Sequence, residues 1–311
     1  MRQAALKLAA ATMICCGIFS VTSAQEQINV VTTAVPFLRI SPDARSGGMG
    51  DVGLATSPDA SSVFWNLGKV AFNESKSGLV ATYTPWLKDL VNDVYLASLA
   101  GYYKFDDNQA ISGSLRYFSL GNIQFTDNLG NNWGSARPRE FSIDFGYSRK
   151  LSDKAGLGVG LKYINSNLTG GGVTNGSTTY KAGTAVAGDI AFYYDGKDQQ
   201  GDGWAFGVAM TNLGSKIDYT SNASQKDFIP ANLGLGTSYT KNFNEQNKIQ
   251  IGLDINKLMV PTPPTDLSDP NAITNYRSKS VISSWFSSFG DAPGGFSEEL
   301  KEFQVSVGGE Y

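Results

Sequence analysis

From Leu79 onward, apolar and small or polar positions alternate with a period of two, the pattern of a strand whose two faces meet different surroundings. One parity reads Ile111, Gly113, Leu115, Tyr117. Phe141, Ile143, Phe145, Tyr147 come next, and then Leu157, Val159, Leu161, Tyr163. Further along are Val186, Gly188, Ile190, Phe192, Tyr194 and Trp204, Phe206, Val208, Met210. The last three rows are Leu233, Leu235, Thr237, Tyr239, then Ile249, Ile251, Leu253, Ile255, and Phe303, Val305, Val307. Residues 79–86 and 93–104 complete a set of ten predicted strands.

The opposite parity separates two architectures. A sandwich in water coats its outer face with Lys and Glu. Here that row holds Ser112, Ser114, Gly158, Gly160, Ala187, Ala205, Gly207, Gly234, Gly236, Gly252 and Ser306, with Arg116, Asp144, Lys162, Asp189 and Asp254 as its few charges. The apolar rows carry no charge, as a lipid-facing surface requires, because Arg or Lys at mid-bilayer costs about 2–4 kcal/mol in a barrel. Small residues opposite imply a lumen packed closely by something inside. Tyr117, Tyr147, Tyr163, Tyr194, Tyr239 and Trp204 fall at strand ends, where amphipathic rings meet a bilayer interface. Short turns (Asp106–Gln109, Leu151–Lys154, Asp195–Gly203, Asn242–Asn247) alternate with longer loops (Gly121–Pro138, Ser166–Lys181, Gly214–Pro230, Met259–Lys301), although Leu87–Asn92 is short for the long rim. The prediction is an all-β, transmembrane antiparallel β-barrel of the outer membrane, about 20 Å across for ten strands. Its short turns would face the periplasm.

Composition narrows the chemistry. Among 311 residues there is no histidine, which removes Ser-His-Asp and Cys-His nucleophiles and imidazole metal ligands. A net charge of −3 with no long basic run argues against a nucleic-acid partner. Both cysteines, Cys15 and Cys16, lie in residues 1–24, where Arg2 and Lys7, an apolar Leu8–Val21 and small Thr22-Ser23-Ala24 read as a cleaved export signal. A lipoprotein reading of either cysteine is weakened by bulky Met13 and Ile14. The chain from Gln25 onward has no cysteine and therefore neither disulfides nor thiolate zinc sites. It has no apolar run long enough for a membrane helix, and no cofactor is expected.

Residues 25–77 break the alternation and read as an N-terminal plug ahead of a 78–311 barrel, with a disordered leader as the alternative. Asp59 is placed to cap a short helix. Arg39 and Arg45 are candidates to pair with lumen carboxylates such as Asp144, Asp189 or Asp254 and so hold the plug. Gly156-x-Gly158-x-Gly160 lies inside a strand with no helix after it, which favours a small lumen row over a nucleotide loop. Asp195, Asp198 and Asp202 miss calcium-loop spacing and read as a turn. Asn73-Glu74-Ser75, Asn167-Leu168-Thr169, Asn175-Gly176-Ser177 and Asn222-Ala223-Ser224 read as polar loop sequence. In the long segment 259–301, Val281, Ile282, Trp285, Phe286 and Phe289 recur at helical spacing. Their apolar face would cover the barrel mouth, dock a protein partner, or do both.

Ala44-Arg45 through Met49-Gly50, with Asp59-Ala60 and Trp65-Asn66, resembles the amino-terminal hatch of FadL-type barrels. Val35-Pro36-Phe37-Leu38, Asp51-Val52-Gly53 and Asp291-Ala292-Pro293-Gly294-Gly295-Phe296 narrow the resemblance to the outer-membrane shuttle proteins of type IX secretion. That resemblance makes Arg39, Arg45, Met49, Asp59, Trp65 and Asn66 the plug motif. It adds Asp291 and Phe296 to the partner-binding candidates. It implies a non-enzymatic protein that associates with the secretion translocon, receives the C-terminal signal domains of cargo, and passes cargo to a sortase-like attachment complex at the cell surface. Asn66-Leu67-Gly68-Lys69 stands where the family usually has Asn-Pro-Ala-Gly or Asn-Pro-Ala-Lys. The family barrel has fourteen strands, so the resemblance leaves about four to come after Tyr311. A FadL-like carrier of fatty acids or other hydrophobic molecules is the second reading, and an open porin the third.

Overall fold

The computed structural model describes residues 30–126, 129–170, 173–175, 178–220, 226–244, 246–265, 269 and 271–311. The export signal lies outside them, as do Gly176-Ser177 and the whole of Asn222-Ala223-Ser224. Ten strands form one antiparallel sheet in which each pairs with the next. They are β1 (Ser77–Pro85), β2 (Val94–Lys104), β3 (Gln109–Leu120), β4 (Arg139–Lys150) and β5 (Ala155–Asn167). The sheet continues with β6 (Gly183–Asp195), β7 (Gly203–Gly214), β8 (Asn232–Asn244), β9 (Asn247–Leu258) and β10 (Phe303–Glu310).

Side-chain parity follows the sequence pattern. On β5, Leu157, Val159, Leu161 and Tyr163 point outward, Leu161 being 73% exposed, while Gly158 and Lys162 point inward and are buried. On β3, Ser112, Ser114 and Arg116 are buried and Ile111 and Leu115 exposed. Outward rings gather at both ends of the wall. Tyr83, Tyr95 and Tyr117 run across β1–β3 at the long-loop end, with centroids 5.0 and 6.3 Å apart. Trp204 and Tyr239 meet at 5.1 Å at the short-turn end. Three of the long loops carry small ribbons that the alternation did not announce: Ile123–Thr126 with Asn132–Ala136, Val173–Asn175 with Thr178–Tyr180, and Ile217–Asp218 with Lys226–Asp227. Each is too short for period two to register.

The sheet wraps around the amino-terminal segment. A 3-10 helix, Pro36–Arg39, sits at the long-loop end, where Phe37 stacks on Phe118 at 6.4 Å. Val35, Leu38, Leu96, Ile164, Ile217 and Ile229 complete that core. The chain then descends through the helix Ala44–Gly48, capped by Asp43, whose side chain accepts from Ser46 N at 2.9 Å. After the helix Ser62–Trp65 it forms the 3-10 helix Leu67–Phe72 against β4–β6 and leads into β1. Among the described residues β1 pairs only with β2 and β10 only with β9. The hatch touches both of these edges: the Thr82 hydroxyl on β1 donates to the Pro42 carbonyl, and Arg45 reaches Glu310 on β10.

Candidate functional site: a seated hatch and a stapled loop

The small inner row exists because the hatch occupies its space. A Cβ on Gly160 would come within 2.8 Å of Leu67, one on Gly234 within 2.7 Å of Leu54, and one on Gly252 within 2.6 Å of Val52. At Gly207 and Gly308 the obstacle is hatch backbone, the carbonyls of Leu54 and Met49. Met49 thus seats against β10, and Leu54 and Leu67 enter sockets that only glycine leaves open. Interiors packed this closely give way at a cost of about 1–3 kcal/mol when methylenes are added.

Polar contacts fix the same segment. Arg45 holds Glu310 with two bonds (Nε 2.8 Å, Nη2 2.5 Å) and Asp59 with a third at 2.7 Å, and it also donates to Ser57 O. Burial works against its charge, but the two carboxylates outweigh that and raise its pKa. Asp59 also accepts from Ser62 N at 3.0 Å, the first N–H of the helix, although the N-cap position is held by Ser61 and not by Asp59 as expected. Trp65 lies against Gly53 and donates from Nε1 to Asp43 at 2.6 Å. Asn66 is buried and fully engaged: Nδ2 donates to Leu54 O and Phe192 O, and Oδ1 accepts from Gly68 N, all at 2.9 Å. It stands directly ahead of the Leu67–Phe72 helix, so Leu67 takes the first helical position, where proline is common in such motifs, and uses its side chain as the socket filler. The plug candidates are therefore brought together, with one exception in detail: among the described residues Arg39 reaches only Gln304, at 2.8 Å.

The expected arginine partners are corrected. Asp144 and Asp189 belong to Lys162, which lies 3.3 and 3.2 Å from them inside the wall and also donates to Asn212 at 2.6 Å. Cross-strand register places Asp144 directly opposite Lys162, and Arg116 acts on Asp144 as a second cation, so this charge set closes without Arg39 or Arg45. Asp254 accepts from the backbone N–H groups of Gly53 and Leu54 at 2.7 and 2.9 Å. Lys69, which only the resemblance touched, is fully buried and donates to Gly53 O (2.7 Å) and Thr56 Oγ1 (2.9 Å); burial lowers its pKa to about 8. In the Asp195–Gly203 turn the carboxylates serve Lys197, Lys241 and local backbone N–H groups.

In the last long loop, the helix Val281–Ser287 forms where its spacing placed it, but its apolar residues are divided between its inner and outer sides. Ser284 and Ser288 are buried, whereas Ile282 and Phe286 are 63% and 73% exposed and Phe289 and Phe296 also face outward. Val281 and Trp285 are half-buried. Val281 and Trp285 are thus the members of the apolar set turned toward the protein, and Ile282 and Phe286 those turned away. The inward hydroxyl of Ser284 is satisfied within the helix itself, Oγ donating to Ser280 O one turn back at 2.7 Å. A buried polar staple fixes the loop. Lys257, at the end of β9, pairs with Glu299 and Glu302 at 2.7 and 2.5 Å. Thr262 Oγ1 lies 2.9 Å from both Asp291 and Glu302, its single proton serving one of them at a time, and Thr262 N donates to Asp291 at 3.2 Å. Asp291 is thus an anchor within the loop.

An antiparallel wall with a greasy exterior, wrapped around a locked amino-terminal hatch, defines a hatch-bearing barrel-type protein. A family model described as Type IX secretion system protein PorV matches residues 22–265. The chain belongs to the PorV family. No curated protein matches it. Solved structures similar in outline include the TodX monoaromatic hydrocarbon channel deltaS2 mutant (13% identity, TM-score 0.47, 68% of each chain covered). The CymD monoaromatic hydrocarbon channel (14%, 0.39, 68% of each chain) and the P. putida toluene transporter TodX (14%, 0.41, 68% of this chain and 69% of that one) are further examples.

Proposed function

We propose that this chain is an integral outer-membrane, non-enzymatic carrier in type IX secretion, which takes the C-terminal signal domain of cargo from the translocon and hands it to a sortase-like attachment complex. Family membership supports the secretion role. The observation that carries the finer reading is the outer side of the last long loop: held by the staple, it presents Ile282, Phe286 and Phe296 to the outside, and aromatic clusters of this kind anchor protein interfaces. A hatch seated on glycine and tied by Arg45 opposes free diffusion, which suits a carrier that works through its rim. Deleting residues 281–296 should leave the wall assembled in the membrane and stop cargo release; normal secretion by that deletion would overturn the loop assignment.

A second reading, a FadL-like carrier of hydrophobic molecules, has one observation in its favour. A cavity of about 940 Å³ lies between the hatch and β1, lined by Pro36, Phe37, Ile40, Tyr83, Pro85 and Trp86 among others. Uptake of a labelled fatty acid by cells producing the protein, absent from cells that lack it, would favour that reading.

A further inference from the structure

At the long-loop end, Glu140 on β4 stands in register opposite Ser166 on β5 and is 2% exposed. It shares the inward parity of Ser142 and Asp144. Ser166 Oγ donates to Glu140 Oε1 at 2.6 Å and accepts from the Tyr219 hydroxyl at 3.0 Å. Both protons of this short chain are directed toward the carboxyl group, an arrangement that suits its charged form. Glu140 forms no ion pair among the described residues. Its Oε2 accepts no hydrogen bond among them and keeps some accessible surface. A carboxylate placed so is costly, because its lost hydration is repaid only by hydrogen bonds or a partner of opposite sign.

Glu140 borders a cavity of about 540 Å³ set between the first hatch residues, the ends of β3 and β4 and the helix Ala272–Ser278 of the last long loop. Val35, Phe118, Leu120, Phe228, Ile273 and Tyr276 make its walls largely apolar. Two further charges line it, Asp227 and Arg277, and these are committed to each other at 3.0 Å. Lys216, 4.1 Å from the Phe228 ring, donates to the carbonyls of Arg277 and Lys279. The cavity therefore carries one uncompensated acidic group in an apolar wall. It shares Pro36 and Phe118 with the larger cavity beside β1, but that cavity lacks Glu140. Its volume lies in the range that takes small ligands, roughly 300–1,000 Å³. An ammonium would meet Oε2 in a charge-assisted hydrogen bond while an apolar stem covered the walls. An acid of the same shape would be repelled.

We propose that this cavity binds a primary ammonium carried on a short apolar stem, the nitrogen donating to Glu140 Oε2 and the stem lying against Phe118, Phe228 and Ile273. The ammonium comes from a free alkylamine or from a lysine side chain of an exported peptide. The site does not rest on the carrier reading, because its test reads binding and not secretion. The purified full-length protein in detergent is titrated with n-butylammonium chloride and followed by saturation-transfer NMR, with n-butanol and sodium butyrate as probes of equal stem at constant ionic strength. Saturable butylammonium binding is expected, at least about tenfold tighter than butyrate, the scale of a hydrogen bond to a charged group. Glu140→Gln should weaken butylammonium at least about tenfold and change butanol by no more than about twofold. Ile273 is 42% exposed, so Ile273→Trp fills the cavity from the loop side and tests the site even if Glu140→Gln does not fold; it should remove the binding of both probes. A short lysine peptide that displaces butylammonium where its norleucine counterpart does not assigns the peptide source; no displacement assigns the free amine. No saturable butylammonium signal, butyrate bound as tightly as butylammonium, or butylammonium binding unchanged by Glu140→Gln or by Ile273→Trp would overturn the site.

Discussion

Arg45 grips both carboxylate oxygens of Glu310 across a separation of 265 residues, joining the hatch to the last strand of the sheet. The same guanidinium holds Asp59 and the Ser57 carbonyl, so it ties two turns of the hatch to each other as well as to the wall. Replacing it by glutamine leaves two partly buried carboxylates facing each other without a cation. Arg45→Gln should destabilise the folded protein by about 1–3 kcal/mol, and Glu310→Gln by less, because Asp59 keeps its partner. Thermal melting in detergent measures both, and equal melting of Arg45→Gln and the parent would contradict the tie.

The glycine sockets give a graded series. At Gly160 an added methyl first meets the mobile end of Leu67, at 2.8 Å, with Phe145 O next at 3.3 Å, so Gly160→Ala should be milder than the same change at Gly207, and Gly160→Val should improve when combined with Leu67→Ala. At Gly207 the obstacle is the Leu54 carbonyl, which has no rotamer to change. Gly207→Val should displace the hatch and open it to added protease. Gly188, where a Cβ would find nothing closer than 3.5 Å, serves as the tolerant control. If Gly207→Val and Gly188→Val resist protease equally, the hatch is not seated as described.

The two-faced strands were legible because lipid-type and lumen-type surroundings impose opposite residue types at a period of two. The small inner row even announced close packing within, but not its occupants: nothing in Leu54 or Leu67 as letters separates a socket filler from any other leucine. Nothing in the sequence pairs Lys257 with Glu299 and Glu302, because their meeting depends on a loop returning to its own strand end. The helix Val281–Ser287 was legible in place but not in orientation. Its spacing reveals an apolar face, but not which side the staple turns outward. Arg45 was recognised, whereas its partner Glu310 sits beyond the inner charges that the alternation made conspicuous.

Lys69 predicts a pH dependence with a definite sign. Burial depresses its folded-state pKa to about 8 from an ordinary 10.5, with Asp59, Arg45, Asp254 and Asp43 as the charged groups that act on it. Below about pH 8 both folded and unfolded chains carry the proton, and the cost of the buried charge is fully present. Between pH 8 and 10.5 the unfolded chain binds more protons, so stability rises with pH, by at most about 3 kcal/mol. Lys69→Met should flatten that rise while leaving the profile below pH 7 with its original shape. Denaturant midpoints collected from pH 7 to 10 decide it; parallel slopes for parent and variant would remove Lys69 as the cause.

The staple and the outward face separate in a pair of variants. Lys257→Met leaves Glu299 and Glu302 buried without a cation, and breaking such a pair costs about 3–5 kcal/mol; limited proteolysis should then cut between residues 265 and 300, where the parent resists. Ile282→Ser with Phe286→Ser removes apolar surface that is already in contact with solvent, so melting and protease resistance should stay at the parent's level, since exposed substitutions rarely move stability beyond about 0.5 kcal/mol. Under the carrier reading, both variants lose cargo release, the first because the face is no longer held and the second because it no longer grips. A serine variant that secretes normally while the lysine variant fails would assign the loop a purely structural task and move the partner surface elsewhere on the rim.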